Sequence, residues 1–371
     1  AFEDTDKRFV SVAYYGHMAD LMSRMSKALS QTEGDEFDLK AAKYAQLFAD
    51  IKSEFKTRYW ASGRVSGLRQ KSQCAMLLAL RYDMLHDEAA VEDTRTKLRS
   101  KIEKNGNKLS TGFLGTAVLN QTLSQFGMDD LAYALLLQRE CPSWLYPVDQ
   151  GATTMWERWN SYTREGGFSK SIEMNSFNHY AYGAVGEWMY RYMAGIAPDY
   201  DAPGFSHIIL KPSFDAGRRI SDVDATFASN YGPIDAAWKT SDDGQYVYNV
   251  TVPANTTATL ILPSSPDGAV VCENGKPASE AEGIADYADD GTSVTMTLGS
   301  GSYSFSGGIA AGVEKVEADG NIRIYPNPAT ETVTVEGIEA VESMELRSLA
   351  GALVASSVKG SCVLNVSSCA P

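Results

Sequence analysis

The property that most restricts this chain is a change of hydrophobic period near residue 198. From Arg8 to about Ala197 apolar residues recur at helical spacing, whereas beyond Pro198 they fall into short alternating runs. A 3.6-residue pattern does not settle as strand, nor a two-residue pattern as helix, so the chain is expected to be multi-domain, α then β. With 371 residues it is also longer than one ordinary domain.

In the first half, Val10, Ala13, Tyr14, His17, Met18, Leu21, Met22 and Met25 share one face, and Ala42, Tyr44, Leu47, Phe48, Ile51 and Phe55 another. Further helices are expected at roughly 70–86, 88–104, 113–126, 128–140 and 177–195, broken at Asn105-Gly106-Asn107, Gly127 and Cys141-Pro142. No strand signal interrupts them. About seven antiparallel helices on short connections suggest an α/α toroid or a bundle. Aromatic connections, Arg58-Tyr-Trp-Ala-Ser-Gly-Arg64 and Cys141-Pro-Ser-Trp-Leu-Tyr-Pro147, favour a toroid with a carbohydrate cleft.

After the Pro- and Gly-containing stretch APDYDAPGF, the runs at His207–Lys211, Val247–Val252, Thr257–Leu262, Ser293–Leu298 and Gly301–Phe305 indicate an antiparallel β-sandwich over about 204–308. A third β-module is expected over about 320–371, with strands at Asn321–Ala329, Thr332–Val335, Ser343–Leu346 and Gly351–Val354. The helical unit is bounded at about residue 200.

The net charge of −14, with no Lys/Arg-rich run, argues against nucleic acid as a partner. No stretch is long and apolar enough to span a membrane, and the start, AFEDTDKRF, lacks signal-peptide character and suits a chain cut from something longer. The five cysteines make no metal-ligand spacing: Cys74 reads as core, and Cys362 and Cys369 either bridge or stay as free thiols. Neither a metal nor a cofactor is expected.

Chemistry concentrates in Gly151-Ala-Thr-Thr-Met-Trp-Glu-Arg-Trp-Asn160, where Glu157 stands between Trp156 and Trp159. Indole faces stack on sugar rings, and a carboxylate among apolar rings is placed for acid or base work. A buried helix start with Glu157 paired structurally reads equally well from these residues alone. Downstream, Asn175-Ser-Phe-Asn-His-Tyr-Ala-Tyr-Gly183 opens the last helix, with Ser176 as expected N-cap and Asn178 and His179 in the first turn. There a neutral imidazole and an amide suit sugar hydroxyls; a capping or packing role for His179 is the competing reading.

Taken together, Thr111–Thr116, Ala132–Leu137, Pro142–Trp144, Gly151–Glu157 and Ser176–Tyr180 resemble the catalytic domain of bacterial α-L-rhamnosidases of glycoside hydrolase family 78. The resemblance implies part of an (α/α)6 barrel followed by a C-terminal β-domain, and a rhamnoside as the carbohydrate substrate. It also implies inverting hydrolysis with Glu157 as general base, His179 in contact with rhamnose, and Trp156 and Trp144 as wall residues. The family's general acid lies in a D-x-x-x-R-E and W-x-G-D segment that this chain lacks, so the chain alone is expected not to hydrolyse glycosides efficiently. Tyr325-Pro-Asn-Pro-Ala329 and Leu346–Val354 resemble C-terminal sorting modules of Bacteroidetes proteins, which implies a secreted, periplasmic or cell-surface protein whose module is missing its last strand. Another α/α-toroid glycosidase or lyase, and a non-catalytic carbohydrate-binding derivative, are the alternatives.

Overall fold

Asp6 accepts a hydrogen bond from the Arg8 backbone N–H (2.7 Å) and so opens helix α1, Lys7–Glu33. In the computed structural model, residues 4–62, 66–170, 173–265, 269–309, 323–325, 331–336, 343–347, 353–357 and 361–367 are described. The chain divides into two units, Ala1–Pro203 with Lys211–Asp215, and Gly204–Leu210 with Ala216–Pro371.

In the first unit, α1 buries Phe9, Ala13, Gly16 and Ala19 on one stripe and packs against α2, Glu36–Tyr59, through a Phe9–Phe55 contact with centroids 5.1 Å apart. Acidic Glu36 and Asp38 at the start of α2, and Lys56 and Arg58 at its end, complement its dipole. The next helices sort into two classes. In α3, Gln73–Arg81, every residue but Arg81 is buried, and α5, Phe113–Gln125, is buried over most of its surface. By contrast α4, Glu88–Lys104, buries only the stripe Ala90, Thr94, Leu98 and Ile102. Thus α3 and α5 lie side by side within the unit while α4 covers α3 from outside, and α6, Asp129–Leu136, packs on α5. The connections that precede α3 and α5 therefore gather at one end; there Gln73, fully buried, accepts from the Ser110 N–H (2.8 Å) and donates to the Lys108 carbonyl (3.2 Å).

This half is not free of strands. Trp60–Ala61 (β1) pairs with Gly67–Leu68 (β2), Tyr162–Thr163 (β3) pairs with Gly167–Phe168 (β4), and Ile196–Pro198 forms β5. Strands of two or three residues are too short to carry an alternating pattern, so no period marks them in the sequence. The short helix α7, Leu145–Asp149, lies between α6 and β3. The segment expected as one helix over 177–195 is composite: a 3-10 turn at Tyr180–Ala184, an α turn (α8) at Val185–Trp188 and a π turn at Met189–Ala194. Its N-cap is His179, not Ser176. It is held by Trp188, fully buried, which donates from Nε1 to Ser124 Oγ (2.8 Å), and it ends at Gly195, whose φ of 83° fits glycine. A Cβ on Gly195 would stand 2.3 Å from the Pro212 backbone nitrogen.

In the second unit, β7 (Asp222–Ser229), β8 (Gly232–Thr240), β9 (Gln245–Val252) and β15 (Gly301–Gly308) form an antiparallel sheet continued by β11 (Cys272–Glu273) and β12 (Lys276–Pro277). Alternation sets the inward set: Ile234, Ala236 and Trp238 on β8, and Tyr246, Tyr248, Val250 and Val252 on β9, are buried. A second sheet runs in the order β13 (Ile284–Asp289), β14 (Ser293–Leu298), β10 (Thr257–Pro263) and β6 (His207–Leu210). Here the all-antiparallel expectation fails, because β6 runs parallel to β10, Thr257 opposite His207 and Leu210 opposite Leu260. Three intervening strands supply the crossover that a parallel pair requires. The remaining strands, β16 (Arg323–Tyr325), β17 (Thr332–Glu336) and β20 (Val363–Asn365), form a sheet in that order, and β18 (Glu345–Arg347) pairs with β19 (Leu353–Ser356). Residues 326–329 of the Tyr-Pro-Asn-Pro-Ala motif, and Cys369, lie outside the described residues.

Candidate active site

Between α6 and the composite helix the only regular structure among the described residues is the short α7 and the β3–β4 hairpin, and this is where Glu157 and His179 meet. Two backbone hydrogen bonds clamp the approach: the Glu157 N–H donates to the Ser176 carbonyl (2.9 Å) and the His179 N–H to the Met155 carbonyl (2.8 Å). Thr154 adds a hydroxyl bond to the Phe177 carbonyl. The two motifs are therefore edges of one short ladder, although 21 residues lie between Glu157 and His179 in sequence.

One carboxylate oxygen of Glu157, Oε2, accepts the Ser176 backbone N–H at 2.9 Å. The other, Oε1, faces Nε2 of His179 at 4.0 Å, beyond hydrogen-bond range, and the two side chains keep 15% and 30% of their surface accessible. Nδ1 of His179 accepts the Ala181 N–H (3.4 Å), which in the neutral imidazole puts the proton on Nε2, the nitrogen turned to Glu157. The ring stacks on Phe113 with centroids 4.9 Å apart and planes 19° from parallel. The pair thus presents a carboxylate oxygen and an N–H donor across a gap that fits one small polar group.

The indoles have another position than expected. Trp144 and Trp156 are 7% and 6% exposed and Trp159 is 3% exposed. Trp159 stacks on Tyr182 (3.8 Å, 16°) and meets Trp144 edge to face, Trp144 donates from Nε1 to the Tyr182 carbonyl (2.9 Å), and Trp156 packs edge-on against Phe177. An irregular segment has few periodic contacts to hold it, so its large aromatics are used as its core. Burial, with the Glu157 charge as a second cause, pushes the Tyr182 phenol up to about 12. Asn178 is exposed beside the pair, its N–H donating to Ser176 Oγ (3.2 Å), and Tyr180 is 90% exposed.

Sequence reasoning brought Glu157, His179 and Asn178 together. It missed Phe113, the platform under His179, and the Ser176 N–H that holds the carboxylate. Both lie inside motifs already singled out, Thr111–Thr116 and Ser176–Tyr180, so the signal was present, but stacking and backbone contacts have no sequence signature of their own.

Residues 1–193 match the bacterial α-L-rhamnosidase six-hairpin glycosidase domain, and residues 195–276 match the bacterial α-L-rhamnosidase C-terminal domain. An α-L-rhamnosidase of Streptomyces avermitilis is 40% identical over 305 residues, 82% of this chain and 27% of that protein, and one of Formosa agariphila is 36% identical over 271 residues, 73% of this chain and 28% of that protein. The crystal structure of the Streptomyces avermitilis α-L-rhamnosidase complexed with L-rhamnose superimposes with a TM-score of 0.70 at 38% identity, over 82% of this chain and 27% of that one. The structure of native α-L-rhamnosidase from Aspergillus terreus gives 0.68 at 29% identity, over 81% of this chain and 30% of that one. The chain therefore spans under a third of the length of these relatives, and, by the domain match and the fold, it belongs to the bacterial α-L-rhamnosidase family.

Proposed function

We propose that this chain is part of a glycoside hydrolase that releases terminal α-L-rhamnose from polysaccharides or rhamnosides, and that its helices belong to an (α/α)6 barrel followed by a β-sandwich. The observation that carries the reading is the Glu157–His179 pair, in a chain of this family, with one carboxylate oxygen held by the Ser176 N–H and the other left open 4.0 Å from Nε2. Glu157 acts as general base: its fixed Oε2 sets the direction of Oε1, which takes a proton from the attacking water. The Nε2–H of His179 donates to a hydroxyl of the rhamnose, with Asn178 available to a second. Inverting hydrolysis requires a second carboxyl group to protonate the departing oxygen, and because the family's D-x-x-x-R-E and W-x-G-D segment has no match in this chain, that general acid is assigned to a segment outside it. Trp144 and Trp156 act on the sugar through the wall that they support.

In the longest natural form of the polypeptide, Glu157→Gln is expected to lower rhamnose release from an aryl α-L-rhamnoside by about 10²–10⁴-fold with little change in thermal midpoint. A variant with wild-type turnover removes Glu157 from the mechanism. The resemblance of the Tyr325–Ala329 motif to an export module supports a location outside the cytoplasm; cell fractionation that finds the protein in the cytoplasm overturns that part.

A further inference from the structure

A cavity of about 990 Å³ in the helical unit is not lined by Glu157 or His179. Its walls come from β1, β2, α4 and the 105–110 connection, and among the described residues they carry Arg69, Lys71, Lys97, Lys101 and Lys104 without an Asp or Glu. In a chain of net charge −14, a concave surface of one positive sign needs a cause. Lys97 is paired with Asp93 (2.6 Å), but among the described residues no ion pair engages Arg69, Lys71 or Lys104. On α4, Lys97, Lys101 and Lys104 fall at i, i+4 and i+7, one helical face, next to the buried stripe that packs on α3. On the cavity wall, Ser110 is 6% exposed and its hydroxyl has no hydrogen-bond partner, a buried donor without an acceptor.

One short stretch of chain links the cavity to the candidate site. Ser110 lines the cavity, and Phe113, three residues on, is the platform on which His179 stacks. Three residues of chain span at most about 11 Å, so the Ser110 end of the cavity lies no farther than that, along the backbone, from the residue that supports His179.

We infer that this cavity is a subsite for an anionic sugar, a uronate or a sulfated residue, lying beyond the rhamnose that is cleaved. The inference rests on the α-L-rhamnosidase reading above. The cations attract the acid group and the Ser110 hydroxyl donates to it, so the subsite favours acidic rhamnosides over neutral ones.

The test compares, in the longest natural form of the polypeptide, α-L-rhamnosides whose neighbouring sugar is glucose, glucuronate or a glucose sulfate. An anionic substrate is expected to be preferred in kcat/KM, with the preference shrinking as salt is raised. In Lys101→Gln/Lys104→Gln the anionic-to-neutral ratio should fall at least tenfold, and in Lys101→Arg/Lys104→Arg it should be kept. Preference for glucuronate or for sulfate alone identifies the acid group. Equal rates on all three substrates, or an unchanged ratio in the glutamine variant, overturn the proposal. If no substrate releases rhamnose, the hydrolase reading is what has failed. The cavity is then tested by itself, by calorimetric titration with sodium glucuronate and with inorganic sulfate: binding lost in the glutamine variant sustains an anion subsite, and no binding overturns it.

Discussion

The β7–β8–β9–β15 sheet and the irregular segment carrying Glu157 are both held by antiparallel backbone hydrogen bonds, yet they are specified in different ways. In the sheet, alternation repeats the same instruction many times, and a one-residue slip would expose Trp238, Tyr246 and Tyr248 together. In the segment, among the described residues, two backbone bonds, the Ser176 N–H to the Glu157 carboxylate, one threonine hydroxyl and a few aromatic contacts carry the arrangement. Redundancy makes the sheet tolerant of the loss of any single polar contact. The segment gives that tolerance up and in exchange places an accessible carboxylate against an accessible imidazole.

The largest effect that probes this contrast is expected in the sheet core. Trp238 is 1% exposed, and Trp238→Ala should cost about 3–5 kcal/mol, read as a fall in the denaturation midpoint, with no preferential loss of rhamnose release per folded molecule. A loss below about 1 kcal/mol would mean that the sheet is not held by its inward face. The intermediate case is Thr154→Val, which removes the hydroxyl bond to Phe177 while keeping the side chain's shape. At an exposed site the stability cost should stay near 0.5–1 kcal/mol, whereas kcat on an aryl rhamnoside should fall several-fold because the ladder sets the Glu157–His179 spacing; unaltered kinetics would show that the backbone bonds suffice.

The smallest effect is a titration. Tyr182 and Tyr248 both have raised phenol pKa values, Tyr248 by burial alone and Tyr182, at about 12, by burial and by Glu157. A folded-state value above the ordinary 10 means that the folded form holds the proton more tightly. The corresponding stability is therefore complete below pH 10 and is lost as pH rises through about 12. Replacing Glu157 by Gln removes the second cause, so the Tyr182 phenol should ionise at lower pH, while Tyr248 should not move. Resonances of the two rings followed through alkaline pH distinguish them, and a common response would remove the assigned electrostatic contact.

What was legible in the sequence follows the same division. Helix α4 could be read from its stripe and the sheet strands from their alternation, since each position repeats the message of its neighbours. Glu157 and His179 were legible through their motifs. The local geometry around them was not: His179 caps a 3-10 turn and Ser176 does not start the helix but is bonded to Glu157 through both its N–H and its carbonyl, contacts that no period records. The burial of Trp144 and Trp156 was likewise hidden, since a loop indole looks the same in sequence whether it covers a cleft or fills a core. The cavity cations come from segments on either side of α3, and no contiguous basic run marks them in the sequence.

The ladder between residues 154–157 and 176–179 closes the excursion that lies between them, as a clasp closes a strap. At its far end the β3–β4 hairpin turns through Arg164–Gly166. Lengthening a closed loop costs only about 0.6 kcal/mol per doubling, so this hairpin is a graft point: residues can be inserted or exchanged at its tip while the carboxylate and imidazole keep their register. Evolution or design can revise what the segment meets in solvent without retuning the pair at its base.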